Sequence, residues 1–345
     1  MTHLISKILL SATFLFPAIA VTGTEKEVEI INHHDGINLA GTLSTPDSVQ
    51  PQAVIVLASG SGQQNRDEEM LGHRPFKAIA DYLTANGYAV LRMDDRGIGG
   101  SGGDFHTATA DDFLRDISVA LAYTDSCFAG IPTGVIGHSE GGTIAIRSAA
   151  TDVRCEFIVT LAAPAWEGDS IVMSQSRALA TAMTGRWDGE KLQRSILDIA
   201  KSDTPFKQAN TMIYMSLAES LGEQAKVSAV QQQLAAQVEG VLSPWYRSML
   251  RYNPSDDIKV VNKPWLALNG SLDTQVLPGN LDTISELNPG AIIKLLPGHN
   301  HLFQRCKTGL VHEYENISED ISPETLEMIT KWLDGLFARE DTLER

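Results

Sequence analysis

The chain has 345 residues, of which 43% are hydrophobic and 20% charged. That is enough apolar material for one large domain with an insertion or for two small domains, and it excludes a disordered or low-complexity protein. The formal net charge of −16 at pH 7 argues against nucleic acid and anionic membrane surfaces as partners.

Residues 1–20 have the form of an export signal. Lys7 supplies the positive end, residues 8–16 the apolar stretch, and Ala18-Ile19-Ala20 a small-residue cleavage site that leaves Val21 at the new N-terminus. The apolar run stops at Val21, short of the about 20 residues a membrane-spanning helix needs. The expectation is a periplasmic or secreted protein, cleaved after Ala20 and not inserted in a membrane after processing.

Residues 28–32 and 37–43 alternate weakly around Asp35-Gly36, which reads as an opening β-hairpin. Residues 53–58 are a continuous apolar run of strand length, suited to a parallel strand buried on both faces. A glycine-rich loop follows, then a helical pattern over 75–85 closed by Gly87. The alternation continues with a strand at 88–93, a helix at 111–123, a strand at 133–136, a helix at 143–150 and a strand at 157–162. It resumes later with a strand at 265–268, a helix at 277–287, a strand at 291–296 and a closing helix at 323–337. Ser322 suits the N-cap of that last helix and Pro323 its first turn. Such alternation predicts an α/β fold with a mostly parallel sheet and helices on both faces.

Residues 165–258 break the rhythm. They contain helical stretches without a convincing strand, and they hold much of the chain's Met and Trp, including Trp166, Trp187 and Trp245. These residues suit either the core of a small helical unit or an adaptable apolar pocket. The segment reads as a helical cap inserted into a core formed by 21–164 and 259–345.

Two stretches match the pattern G-x-S-x-G, around Ser101 and around Ser139. A nucleophile elbow needs a strand, a sharp turn and a helix, because the turn lifts the serine oxygen above the sheet. Ser139 has a strand just before it and a helix just after. Ser101 lies several residues beyond its strand, with no helix directly following, and reads as part of a loop. Ser139 is therefore the candidate nucleophile.

A serine hydroxyl needs a base to take its proton and an acid to orient that base. In this chain order the acid precedes the histidine. Asp273 sits in a turn just past a strand, with Asp282 a weaker alternative. His301 is the expected base, with His299 the alternative. His138 lies inside the elbow and is expected to point away from the serine. The developing oxyanion needs two N–H donors. The N–H of Glu140 is one, and the loop Ser59-Gly60-Ser61-Gly62 offers the other, from Ser61 or, second, Gly62. This chemistry uses no cofactor and no metal. The partner it implies is a small-molecule ester. Arg66, Asp67, Asp95 and Arg96, with Glu140, are expected to cross-brace the loops around the elbow.

Five motifs in order, Ser59-Gly60-Ser61-Gly62 with Asn65-Arg66-Asp67, Asp95-Arg96-Gly97, Gly137-His138-Ser139-Glu140-Gly141-Gly142, Asn269-Gly270-Ser271-Leu272-Asp273 and Asn300-His301-Leu302-Phe303, resemble bacterial α/β-hydrolase esterases related to the prolyl-oligopeptidase clan. The resemblance covers roughly residues 25–340. It implies an α/β-hydrolase fold, Ser139, Asp273 and His301 as a catalytic triad, and short or medium acyl esters as substrates. Ser59 departs from the histidine many relatives carry there. In such a fold the strands beginning near 133 and 157 are parallel neighbours, which predicts a Cys127–Cys155 disulfide and a free Cys306.

Overall fold

The computed structural model describes residues 22–337. The export signal read at residues 1–20 lies outside them. Strands β1 (Gly23–Asn32) and β2 (Ile37–Pro46) form the opening antiparallel hairpin. Next come β3 (Val54–Ala58), α1 (Pro75–Ala85), β4 (Ala89–Met93), α2 (Ala110–Cys127), β5 (Thr133–His138), α3 (Glu140–Thr151) and β6 (Phe157–Leu161). Six helices follow: α4 (Gly168–Thr184), α5 (Glu190–Lys201), α6 (Phe206–Leu221), α7 (Ser228–Val241), α8 (Pro244–Arg251) and α9 (Ser255–Val260). The sheet then resumes with β7 (Trp265–Gly270), α10 (Gly279–Leu287), β8 (Ile292–Leu296) and α11 (Pro323–Phe337).

The eight strands lie in the order β1-β2-β4-β3-β5-β6-β7-β8. β2 pairs antiparallel with β1 and β4, and every other pairing is parallel. β3 shows why the apolar runs carry no alternation. Val56 and Ala58 face one core with α2 and α3, whereas Ile55 and Leu57 face a second core with α1 and α11. Successive side chains on a strand point to opposite faces, so a strand covered on both faces must be apolar throughout. Burying such side chains contributes roughly 1.5–3 kcal/mol each. In open α/β sheets, ligands bind in the crevice outside the carboxyl ends of the parallel strands, where loops rather than core side chains meet.

Helices α4–α9 pack around an apolar core of their own, with Met173, Leu197, Ile213, Val238 and Leu250 at its centre. The three tryptophans divide between roles. Trp187 packs against that helical core. Trp166 reaches back to α10, where its indole N–H donates to Thr283 Oγ1 at 2.8 Å. Trp245 reaches the elbow, as described below.

The structure corrects several expected details. α3 starts at Glu140, immediately after Ser139, rather than at residue 143. α2 runs on to Cys127, and this removes the Cys127–Cys155 disulfide. Cys127 sits exposed on the last turn of that helix, Cys155 is buried, and both are free thiols, as is Cys306. The strand entry beside Cys155 is Thr133, whose carbonyl accepts from Glu156 N–H. Cys127 lies not at that entry but at the end of a helix, before the strand begins. Ser322 does cap α11, accepting from Thr325 N–H at 3.2 Å.

Candidate active site

β5 ends at His138, and the chain turns through Ser139 into α3 with no spare residue. Ser139 has φ 52° and ψ −119°, a sparsely populated conformation that costs on the order of 1–3 kcal/mol. The turn is affordable only because its flanks are glycine. A Cβ on Gly137 would lie 2.0 Å from Gly141 O, and one on Gly141 would lie 1.9 Å from Ala58 O. The backbone of the turn is anchored by Ser139 N–H donating to Leu161 O at 2.8 Å. Ser101, in the second motif match, accepts from Ala40 N–H and donates to Asp94 O. Its hydroxyl is consumed in holding a loop.

Asp273 follows β7 and is almost fully buried. Its Oδ1 accepts from Gln275 and Val276 N–H at 2.8 and 2.9 Å, and its Oδ2 lies 2.7 Å from His301 Nδ1. One oxygen is thus fixed by the backbone and the other is left for the imidazole. His301 lies in a tight loop after β8, closed by Asn300, whose side chain and backbone both bond Gln304. His299 is placed differently. Both its ring nitrogens are occupied, one by Pro297 O at 3.0 Å and the other by Ser322 Oγ at 2.9 Å. Asp282 is exposed on α10. Of the two histidines and two acids considered, the structure brings together His301 and Asp273.

His138 ties that loop to the elbow. Its Nε2 lies 3.0 Å from His301 O, and the two rings lie with centroids 4.7 Å apart and planes inclined at 49°. Its Nδ1 lies 2.9 Å from Glu68 Oε1. The same oxygen accepts from Gly60 N–H at 2.6 Å. In the loop after β3 this engages Gly60 N–H and leaves the N–H groups of Ser61 and Gly62 as candidate donors beside Glu140 N–H. Glu68 is absent from the sequence reading. Its partners are eight residues away at Gly60 and seventy away at His138, and no local pattern encodes that pairing.

The bracing charges also pair differently from expectation. Arg66 grips Asp94 through both ends of its guanidinium, Asp67 pairs with Arg92 and Arg74, and Arg96 pairs with Asp116 and Asp35. Among the described residues, no arginine pairs with Asp95. It accepts from Ser59 Oγ at 2.6 Å and from Gln64 N–H at 3.1 Å. Burial, reinforced by the neighbouring Glu140 and Glu68, pushes its carboxyl up to about 8. Ser59 therefore serves to hold Asp95.

Glu140, directly after Ser139, meets the helical insertion. Trp245 on α8 donates its indole N–H to both carboxylate oxygens, at 2.9 and 3.0 Å. Burial pushes this carboxyl up to about 7, against the lowering effect of that hydrogen bond. A carboxyl raised on folding binds its proton more tightly in the folded state than in the unfolded one. Its stabilising effect is present below about pH 4.5 and is lost as pH rises through about 7. Wild-type Tm is therefore expected to fall between pH 5 and 8, and Glu140→Gln to flatten that fall by a few degrees. An equally steep fall in the variant would show that Glu140 does not titrate in this range.

Ser59, Gly60, Gly62, Asp95, Glu140 and Trp245 border a small cavity of about 30 Å³ beside the elbow, room for a water-sized group. Among the described residues, no cluster of three or more His, Cys, Asp or Glu side chains is arranged to hold a metal ion. Also among the described residues, no helix is long and apolar enough to cross a membrane.

A family model described as "Serine aminopeptidase, S33" matches residues 50–211. The monoacylglycerol lipase of Mycolicibacterium smegmatis is 31% identical over 110 residues, covering 32% of this chain and 36% of that protein. The monoglyceride lipase homolog of monkeypox virus is 25% identical over 124 residues, covering 35% and 41%. The chain thus spans about two fifths of the length of these curated relatives. A solved esterase from Pyrococcus furiosus superposes with a TM-score of 0.56 at 16% identity, over 90% of this chain and 91% of that one. Together with the strand order, these likenesses show that the chain has the α/β-hydrolase fold.

Proposed function

We propose that this chain is a serine carboxylesterase that hydrolyses short or medium acyl esters through an acyl-enzyme. The observation that carries the reading is the strained Ser139 turn, whose neighbour His138 bonds the backbone of the very loop that holds the His301–Asp273 pair. In this reading Ser139 Oγ attacks the ester carbonyl while His301 Nε2 takes its proton. Asp273 keeps the His301 proton on Nδ1 and stabilises the imidazolium that forms. Glu140 and Ser61 N–H hold the oxyanion. His301 returns the proton to the leaving alkoxide, and water releases the acid by the same steps in reverse. Ser139 Oγ and His301 Nε2 are not hydrogen-bonded in this structure, a contact that often tightens only with substrate in place.

The names of the lipase and esterase relatives support an ester as substrate, and the motifs quoted above support kinship with esterases of the prolyl-oligopeptidase clan. The description of the matching family model favours a second reading, cleavage of an N-terminal amide. Purified protein assayed on p-nitrophenyl acetate and on aminoacyl p-nitroanilides separates the two. The expected result is turnover of the ester at a kcat/KM at least a hundredfold above that of any anilide. A preference for anilides would replace the first reading with the second. Export after cleavage at Ala20 belongs to the same proposal and predicts a mature N-terminus at Val21.

A further inference from the structure

Both ring nitrogens of His138 face acceptors. Nε2 faces the backbone carbonyl of His301, and Nδ1 faces the Glu68 carboxylate, whose contacting oxygen already accepts the Gly60 N–H. A neutral imidazole has only one N–H, and could serve both contacts only if the Glu68 oxygen that already accepts the Gly60 N–H also carried a proton. We propose that His138 is a standing imidazolium, and that its ion pair with Glu68 is a positioning device for the reaction, fixing at one point the candidate oxyanion loop, the elbow and the loop of the candidate base.

The geometry gives each partner one task. Glu68 holds Gly60 and thereby sets where Ser61 N–H points. Its own backbone is in the left-handed region at φ 52°, which a non-glycine residue adopts at a cost and keeps only where its surroundings impose it. His138 belongs to the end of β5, one residue before Ser139, so its ring is fixed to the turn itself. Through His301 O it sets the height of the loop that presents the His301 ring. Both His138 and Glu68 are almost fully buried, so the pair is poorly screened. The carboxylate holds the imidazole proton on even though burial alone would drive it off.

The rings of His138 and His301 lie against each other, with centroids 4.7 Å apart and planes inclined at 49°. The charged groups that act on His138 are Glu68, which faces it directly, and Asp273, on the far side of His301, and both favour the imidazolium.

The positional part of the proposal rests on the esterase reading, whereas the protonation state does not. The experiment is therefore in two arms. In the first, histidine ¹⁵N resonances of the wild-type protein are assigned and followed from pH 5 to 7. His138 is expected to show two protonated nitrogens throughout. An unprotonated nitrogen on His138 at pH 7 would overturn the proposal, and this arm needs neither activity nor a variant that folds. In the second, Ser139 labelling by a fluorophosphonate is compared between wild type and His138→Asn, with Glu68→Gln as a second variant. The labelling rate at saturating probe is expected to fall at least tenfold in both variants, with the half-saturating probe concentration and Tm nearly unchanged. Saturating rates within about twofold of wild type, or a loss that only follows a lowered Tm, would reduce the pair to ordinary scaffolding and overturn the proposal. Wild-type protein that labels at Ser139 but turns over no ester would overturn the esterase reading alone.

Discussion

Ser139→Ala is expected to lower kcat/KM on p-nitrophenyl acetate by roughly four to six orders of magnitude while leaving the fold intact. The residual rate would come from binding and the oxyanion donors, which the substitution does not touch. Alanine at this position keeps φ 52°, so it inherits the same backbone strain and changes stability little. The control is Ser101→Ala. Ser101 Oγ links Ala40 N–H to Asp94 O, and its loss is expected to cost about 1–3 kcal/mol of stability with near wild-type turnover. Steady-state rates and fluorophosphonate labelling of both variants decide the matter. Activity retained by Ser139→Ala and lost by Ser101→Ala would transfer the nucleophile to the other motif.

The same two serines show how much the sequence could reveal. Both match G-x-S-x-G, and what separates them is the run of apolar residues before Ser139 and the helical pattern after it. Strand-helix alternation was legible because strands buried on both faces are built from apolar residues, as β3 is throughout. Asp273 and His301 were legible because each follows a strand within a few residues, the buried β7 and the edge strand β8, and the fold brings the ends of adjacent strands together. The elements that could not be read are those set by long-range contact. Glu68 has no local signature as the residue that binds both Gly60 and His138. Trp245 looked like a core or pocket residue of the insertion until the fold placed it on Glu140. Asp94, rather than Asp95, holds Arg66, because in an extended stretch neighbouring residues point in opposite directions and charge alone does not say which is which. The cysteine pairing failed for a related reason. It assumed a loop where α2 still had a last turn to run, so Cys127 remained on the exposed end of a helix while Cys155 went into the core.

His301 and His299 are two residues apart, and their substitutions are expected to diverge widely. His301→Ala should lose about as much kcat/KM as Ser139→Ala, because members of a triad act as a unit. His299→Ala should keep turnover within about tenfold and instead lower Tm, since its ring is buried and bonded to Pro297 O and Ser322 Oγ, contacts worth about 1–3 kcal/mol once their partners are left unpaired. The opposite ranking would make His299 the base. Asp273→Asn gives the sharper test, because the structure says which way the amide must face. Oδ1 accepts two backbone N–H groups, from Gln275 and Val276, and an amide nitrogen could not replace it there. The amide oxygen therefore stays on the backbone side and the NH₂ turns to His301 Nδ1. A donor at that position forces Nδ1 to accept, which moves the imidazole proton to Nε2. That is the nitrogen required to take the Ser139 proton, and it is now occupied. The expected result is a loss of roughly 10⁴ in kcat with Tm nearly unchanged, whereas a loss below tenfold would mean that Asp273 neither sets the tautomer nor stabilises the imidazolium.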